Sequence, residues 1–236
     1  MDTNVNRRKF LYTMGASSAA VAGVSASNAD AAQGDAAIKV IGVSCSPRKG
    51  KTTAQALSVC LEAAKAVHPQ QVNTELIELA ELSIPGNLAA GIPLAPGEKD
   101  DFPAVAEKLS KPEVAAIVVG TPVYFANMSS LCKSFLDRCG MFRKDNFALS
   151  GKVGGVLAVG GARNGGQELT IQSVQAALLC QEMIVVGDGR PTAHFGATLW
   201  NNGDDDLSDD EFGLTTAKNL GRRVAEVALA HVVEVE

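Results

Sequence analysis

Lys39-Val40-Ile41-Gly42-Val43-Ser44-Cys45-Ser46-Pro47-Arg48-Lys49-Gly50-Lys51-Thr52-Thr53 decides the fold. An apolar β-rich run gives way to a short polar loop. A helical pattern follows at once, with Ala54, Leu57, Cys60, Leu61 and Ala64 on one face. Strand, polar loop and helix N-terminus together suit a phosphate, because the first helical N–H groups have no partner and the helix dipole adds positive potential there. Ser46, Thr52 and Thr53 offer hydroxyl donors, and Arg48 offers a fork of N–H groups. The plainer alternative is a strand-to-helix turn carrying solvated basic residues.

Downstream, strands and helices alternate. A second strand is predicted over 72–79, then an irregular connection over 80–99 holding three Pro and three Gly. Asp100-Asp101 caps a helix running to about residue 110. A buried strand spans 114–120, the loop 121–127 follows, and a helix covers 128–139. A buried strand over 153–160 leads into a Gly-rich loop, a helix over 169–180 and a fifth strand over 183–186. Residues 187–206 read as irregular. Ser208-Asp209-Asp210-Glu211 forms a capping box for a last helix to about residue 232. This alternation predicts an α/β fold: a doubly wound five-stranded parallel sheet, order 2-1-3-4-5, with helices on both faces. Right-handed crossovers bring the loops after the strands to one edge, where ligands bind at the point of strand-order reversal.

Three of those loops are chemically unusual. The first is the anion cradle. The second carries Pro122, Tyr124, Phe125 and Asn127, which suit a flat heteroaromatic ring or, alternatively, pack on the loop's own helix. The third holds Gly160, Gly161, Gly165 and Gly166, which let backbone N–H groups approach a ligand or form a flexible turn. A phosphate at one end and a planar ring at the other describe a mononucleotide.

The motifs Ser46-Pro47-Arg48-Lys49-Gly50-Lys51-Thr52, Gly120 to Met128, and Gly160 to Glu168 resemble the flavodoxin-like NAD(P)H-dependent FMN reductases, with the iron–sulfur flavoprotein-like branch nearest. The resemblance covers roughly residues 37–232. It implies FMN as cofactor and NAD(P)H as electron donor. It assigns the phosphate to Ser46, Arg48, Lys51, Thr52 and Thr53. It assigns the ring to Pro122, Val123, Tyr124, Phe125, Asn127 and Met128, with Gly161, Arg163, Asn164, Gly165 and Gly166. It implies a homodimer or homotetramer, and electron transfer to a small acceptor such as a quinone, with no general acid or base named. Two departures stand out. Cys45 occupies a position where family loops often carry Gly, either as a small core residue or as a thiol near the flavin. The compact Cys cluster that the iron–sulfur branch carries after the second strand is missing, since residues 83–90 contain no Cys. FMN is therefore expected to be the sole redox centre, with no metal.

Other functions fit less well. A P-loop phosphotransferase would need GxxxxGK[ST], which Cys45 to Thr52 misses only at its first position, but no later strand ends in the Asp that holds Mg²⁺. A non-enzymatic FMN electron carrier is the other alternative. The net charge of −5, with no long basic patch, argues against a nucleic-acid partner. The five Cys show no CxxC spacing, and His68, His194 and His231 form no ligand pattern. Asp204-Asp205-Asp206 and Asp209-Asp210 read as a solvated acidic loop.

The N-terminus has its own character. Asn6-Arg7-Arg8-Lys9-Phe10-Leu11, a weakly apolar run from Met14 to Ala26, and Ala29-Asp30-Ala31 match a twin-arginine (Tat) signal peptide over 1–31, followed by a linker over 32–36 and an FMN-binding domain over 37–236. Export by the Tat machinery to the periplasm is expected, without a stable membrane anchor. No GxGxxG follows any strand; Gly187-Asp188-Gly189 comes nearest. Free pyridine nucleotides are scarce outside the inner membrane, so the working donor there is expected to be a reduced quinone or a redox protein.

Overall fold

The computed structural model describes residues 37–235. The twin-arginine segment 1–31 and the linker 32–36 lie outside the described residues. In chain order the elements are β1 (Ile38–Ser44), α1 (Thr52–Val67), β2 (Val72–Glu78), a 3₁₀ turn (Gly86–Ala90), α2 (Phe102–Ser110), β3 (Val114–Tyr124), β4 (Asn127–Met128), α3 (Ser130–Arg138), α4 (Gly140–Lys144), β5 (Val153–Gly160), α5 (Gln167–Leu179), β6 (Ile184–Val185), β7 (Ala197–Trp200) and α6 (Glu211–Val235). The main sheet runs β2-β1-β3-β5-β6, all parallel. This is the flavodoxin-like order expected from the sequence.

Strands buried on both faces read as apolar runs because each face meets helices. Along β1, Ile41 and Val43 point into the layer that also holds Phe102, Phe135, Phe142, Ile171 and Leu178. Val40 points the other way, into the layer with Leu57, Leu61, Leu220 and Val224. The period-2 alternation of a strand thus feeds two cores, one under α2 to α5 and one under α1 and α6.

The structure corrects four local expectations. First, the fifth sheet position is shared by two short strands. β6 pairs with Val153-Gly154 and β7 with Leu157 to Gly160 of β5. The chain leaves the sheet after Val186 and re-enters at Ala197, inside the stretch read as irregular. Glycines bracket this excursion because a side chain at Gly187 would collide with the His194 carbonyl, and one at Gly196 with the Val156 carbonyl. The fully buried Asp188 carboxylate ties the excursion together, accepting from the His194 N–H and the Thr192 hydroxyl. Second, β3 runs on to Tyr124 where a loop was expected. It folds back through Phe125 and Ala126, with φ of 51° and 58°, into β4. Third, α3 begins after Ser129, whose hydroxyl accepts the Cys132 N–H at 3.0 Å. Fourth, α6 is capped by Asp210, which accepts the Gly213 N–H at 2.9 Å, while Ser208 instead bonds Asp206.

Asp100 caps α2 by accepting the Phe102 N–H at 3.1 Å. Asp101 turns away to accept the Ser83 N–H at 2.8 Å. Asp100 also receives both terminal nitrogens of Arg138, each at 2.8 Å. The Arg138 guanidinium stacks over Phe102 at 4.7 Å and donates to the Pro85 carbonyl at 3.3 Å. One nearly buried cation therefore joins α3, the start of α2 and the long connection. Replacing Asp100 with Asn would leave Arg138 unpaired, at a cost on the order of 3 kcal/mol, read as a lower urea midpoint. The Arg138 fork holds the Asp100 carboxyl below the usual range. A lowered native pKa means stability that is complete above the ordinary aspartate value of about 3.9 and lost as pH falls through the lowered one. Wild-type and variant stabilities should therefore converge in acid. A gap that persists in acid would show that the carboxylate charge is not its source.

Candidate functional site

The loops after β1, β3 and β5 meet at the carboxyl edge of the sheet. They are joined by hydrogen bonds. The Cys45 N–H donates to the Gly120 carbonyl at 2.8 Å, tying the end of β1 to β3. The Ser129 hydroxyl donates to the Cys45 carbonyl at 2.7 Å while capping α3. The Ser129 N–H donates to the Thr121 hydroxyl at 3.1 Å. Asn201, just past β7, donates its N–H to the Gly160 carbonyl at 3.0 Å and its side-chain amide to the Thr52 hydroxyl at 3.4 Å. The third loop approaches the hairpin tip so closely that a Cβ on Gly166, at φ 99°, would lie 2.6 Å from the Ala126 Cα. No side chain fits there, and the backbone conformation is one that glycine tolerates.

In the first loop, the Ser46 hydroxyl accepts the Arg48 N–H at 3.1 Å and donates to the Arg48 carbonyl at 3.2 Å. It folds the loop on itself and is buried. Thr52 and Thr53 are also buried, at the opening of α1, where no side chain caps the free N–H groups. Arg48, Lys49 and Gly50 are exposed. The Arg48 and Lys49 side chains and the Gly50 N–H each meet a carboxylate. Arg48 makes a two-pronged contact with Asp205, at 2.8 and 2.7 Å, and Lys51 approaches the same carboxylate at 3.5 Å. The Gly50 N–H donates to Glu78 at 2.7 Å, and Lys49 pairs with Glu81 at 2.8 Å. The hydrogen bond from Arg48 holds the Asp205 carboxyl below its ordinary range.

The second loop presents the hairpin. Pro122, Val123 and Met128 are half-buried; Tyr124 and Asn127 are exposed, and Phe125 at the tip is completely so. In the third loop the Gln167 side chain accepts the Gly165 N–H at 2.9 Å and donates to the carbonyls of Ala162 at 2.6 Å and Leu199 at 3.1 Å. This positions Gly161, Gly165 and Gly166 beside the hairpin. Arg163 turns outward, pairing with the buried Asp210 and lying 5.4 Å from the Trp200 ring and 5.8 Å from Phe212. Arg163 and Asn164 line a groove of about 530 Å³ with His194 and Phe212, on the outer side of the loop. Of the residues expected around one ligand, Arg163, Asn164 and Gly166 line that groove.

Cys45 is fully buried, and burial raises its thiol well above the ordinary value; it packs in the same core layer as Cys132 and Cys139. That is the core-residue alternative. Among the described residues, no group of three His, Cys, Asp or Glu is arranged to hold a metal ion. Sequence reasoning missed Asp205, Glu78, Ser129 and Asn201. Ser129 alone had a local signal, as a Ser immediately before an amphipathic helix.

The family model for NADPH-dependent FMN reductases matches residues 38–198. The chain belongs to that family. An iron-sulfur flavoprotein of Methanocaldococcus jannaschii is 42% identical over 194 residues, 80% of this chain and 97% of that protein. A NAD(P)H dehydrogenase (quinone) of Chromohalobacter salexigens is 35% identical over 173 residues, 65% of this chain and 81% of that protein. The crystal structure of a flavodoxin, WrbA-like protein from Agrobacterium tumefaciens shares the fold, with a TM-score of 0.58 at 20% identity over 83% of this chain and 99% of that one. Family membership sets aside the P-loop phosphotransferase alternative. The donor set fits the family's cofactor: two cations and open helix N–H groups for a phosphate, with an exposed aromatic hairpin on which a flat ring could lie.

Ser129→Ala would remove a helix cap and leave the Cys45 carbonyl unpaired in the interior. We expect a loss of about 1–3 kcal/mol in urea unfolding. A neutral result would mean that Ser129 does not hold the loops together.

Proposed function

We propose that the protein is an FMN-dependent NAD(P)H oxidoreductase that passes electrons from a reduced donor through FMN to a small acceptor of the quinone class. One observation carries this: three loops distant in sequence are hydrogen-bonded into one crevice, with cationic groups at one end and an exposed aromatic hairpin at the other. Family membership supports FMN and NAD(P)H. The quinone-reducing relatives support the acceptor class.

FMN, when bound, supplies the hydride and electron chemistry. The chain's own residues bind and orient it. Arg48, Lys51 and the N–H groups opening α1 would hold the phosphate. The hairpin Pro122 to Met128 and the Gly161 to Gly166 loop would flank the ring and keep water from part of its surface. The Gly187-Asp188-Gly189 segment lies in the excursion between β6 and β7 and opens no helix, so a nicotinamide would stack transiently over the ring. FMN is proposed as the sole redox centre, because residues 83–90 carry no Cys. The exposed Tyr124 and Phe125 suit coverage by the ring or by a second subunit, in line with a homodimer or homotetramer.

The test is anaerobic titration of the purified protein. We expect an FMN spectrum, bleaching by NADPH or NADH, and reoxidation by a soluble quinone. Absence of bleaching at millimolar NADH and NADPH would favour the electron-carrier alternative.

The twin-arginine pattern supports export by the Tat machinery to the periplasm, with the flavin inserted before export and a reduced quinone or redox protein as the working donor. Among the described residues, no helix is long and apolar enough to cross a membrane. Replacing Arg7 and Arg8 with Lys should trap the precursor in the cytoplasm; continued export of that variant would count against the Tat route.

A further inference from the structure

The cations of the proposed phosphate cradle are already matched to a carboxylate of the same chain. Asp205 engages both terminal nitrogens of Arg48, at 2.7 and 2.8 Å, and stands 3.5 Å from Lys51. A guanidinium whose two outer nitrogens grip one carboxylate cannot present that edge to another anion. The contact is also built rather than incidental. The loop carrying Asp205 leaves β7 at Asn201, which is fastened to Gly160 and to Thr52 at the mouth of α1. The Asp204 N–H donates back to the Asn201 carbonyl at 2.8 Å, and the Gly203 N–H to the Asn201 side chain at 3.1 Å. Asn202, Gly203 and Asp205 all have left-handed φ, at 49°, 82° and 57°. These turns carry the loop round to Arg48, 157 positions away in sequence.

We propose that Asp205 is an internal competitor for the FMN phosphate, holding Arg48 and Lys51 until the phosphate takes them over, and so setting how strongly the site prefers a phosphate-bearing flavin. This rests on the FMN assignment made above. The pair is suited to exchange. Its side chains are partly exposed, 51% for Arg48 and 30% for Asp205, and such pairs hold weakly in water. A phosphate brings more charge and three oxygens against two. Glu78 on the Gly50 N–H and Glu81 on Lys49 add the same screen to the rest of the loop. An anion with a single charge would gain less than the loop gives up, whereas a phosphate monoester placed by its own ring would gain more.

The discriminating variant is Asp205→Asn. Asn tolerates the left-handed backbone at this position, so the loop keeps its course. FMN and riboflavin binding to the full chain are followed by quenching of flavin fluorescence. We expect Asp205→Asn to tighten FMN five- to ten-fold, with riboflavin, which lacks the phosphate, changing less than two-fold. Unchanged or weaker FMN binding would overturn the proposal, as would an equal gain for both flavins. Arg48→Ala tests the cradle separately. It should reduce the preference for FMN over riboflavin, leaving what Lys51 and the α1 N–H groups supply; an undiminished preference would sink the phosphate assignment itself, whatever Asp205 does.

Discussion

The hydrogen bond from the Ser129 hydroxyl to the Cys45 carbonyl holds the site together. It spans the place where the sheet changes direction, with β2 laid on one side of β1 and β3 on the other. Loops diverge at such a point and leave a crevice. Divergence alone would leave the Cys45 carbonyl and the first N–H groups of α3 facing each other without partners. One hydroxyl satisfies both, accepting from Cys132 and donating to Cys45. It does so in the interior, where an unmade hydrogen bond costs about 1–3 kcal/mol. The hairpin base, the end of β1 and the start of α3 are thereby fixed relative to one another. The hairpin tip and the basic loop project from that frame.

The electrostatics follow a different rule from the core. The chain is acidic as a whole, yet the opening of α1 collects Arg48, Lys49 and Lys51. Each of these meets a carboxylate brought from elsewhere: Asp205 from beyond β7, Glu81 from beyond β2. Exposed pairs of this kind contribute little to stability, because water screens them. Their effect is on selectivity. Pairing removes the open positive patch that would otherwise attract any polyanion. The buried pair of Arg138 and Asp100 works by the opposite logic, since desolvation makes the loss of either partner expensive.

The frame was legible in the sequence because its signals are local. The first strand and helix fall where the apolar run and the 3.6-residue period put them. The continuous apolar runs at β3 and β5 could only be strands covered on both sides. The second half of the fifth position was not legible: Ala197 to Trp200 is four residues long and follows a stretch with Pro, Gly and His. Its strand character comes from pairing with β5, a tertiary effect that overrides local pattern. The extension of β3 to Tyr124 was hidden by Pro122, which forms the last pair of the β3–β5 ladder, where a missing N–H is tolerated. In the site, the basic residues and glycines announced themselves by type. Their partners did not, because Asp205 reaches Arg48 through three left-handed turns and looks, in sequence, like any solvated acidic loop.

The long connection between β2 and α2 carries no Cys over residues 83–90. Resemblance to the iron–sulfur branch implies a Cys cluster in this region. A metal cluster bound by several thiolates also cross-links the segment that carries it. A chain without those thiolates needs another anchor for roughly the same length of irregular backbone. Arg138 provides one. It reaches from α3 to the Pro85 carbonyl, just before the 3₁₀ turn, and to the Asp100 carboxylate, just before α2, while Asp101 binds the Ser83 N–H. Four of the five Cys, at 45, 60, 132 and 139, are packed in the two apolar layers instead, with the Cys60 thiol pushed up to about 12 by burial. Burial likewise raises the Cys45 and Cys139 thiols, away from the thiolate that ligates metals. An ion pair with a stacked arginine thus fastens the segment.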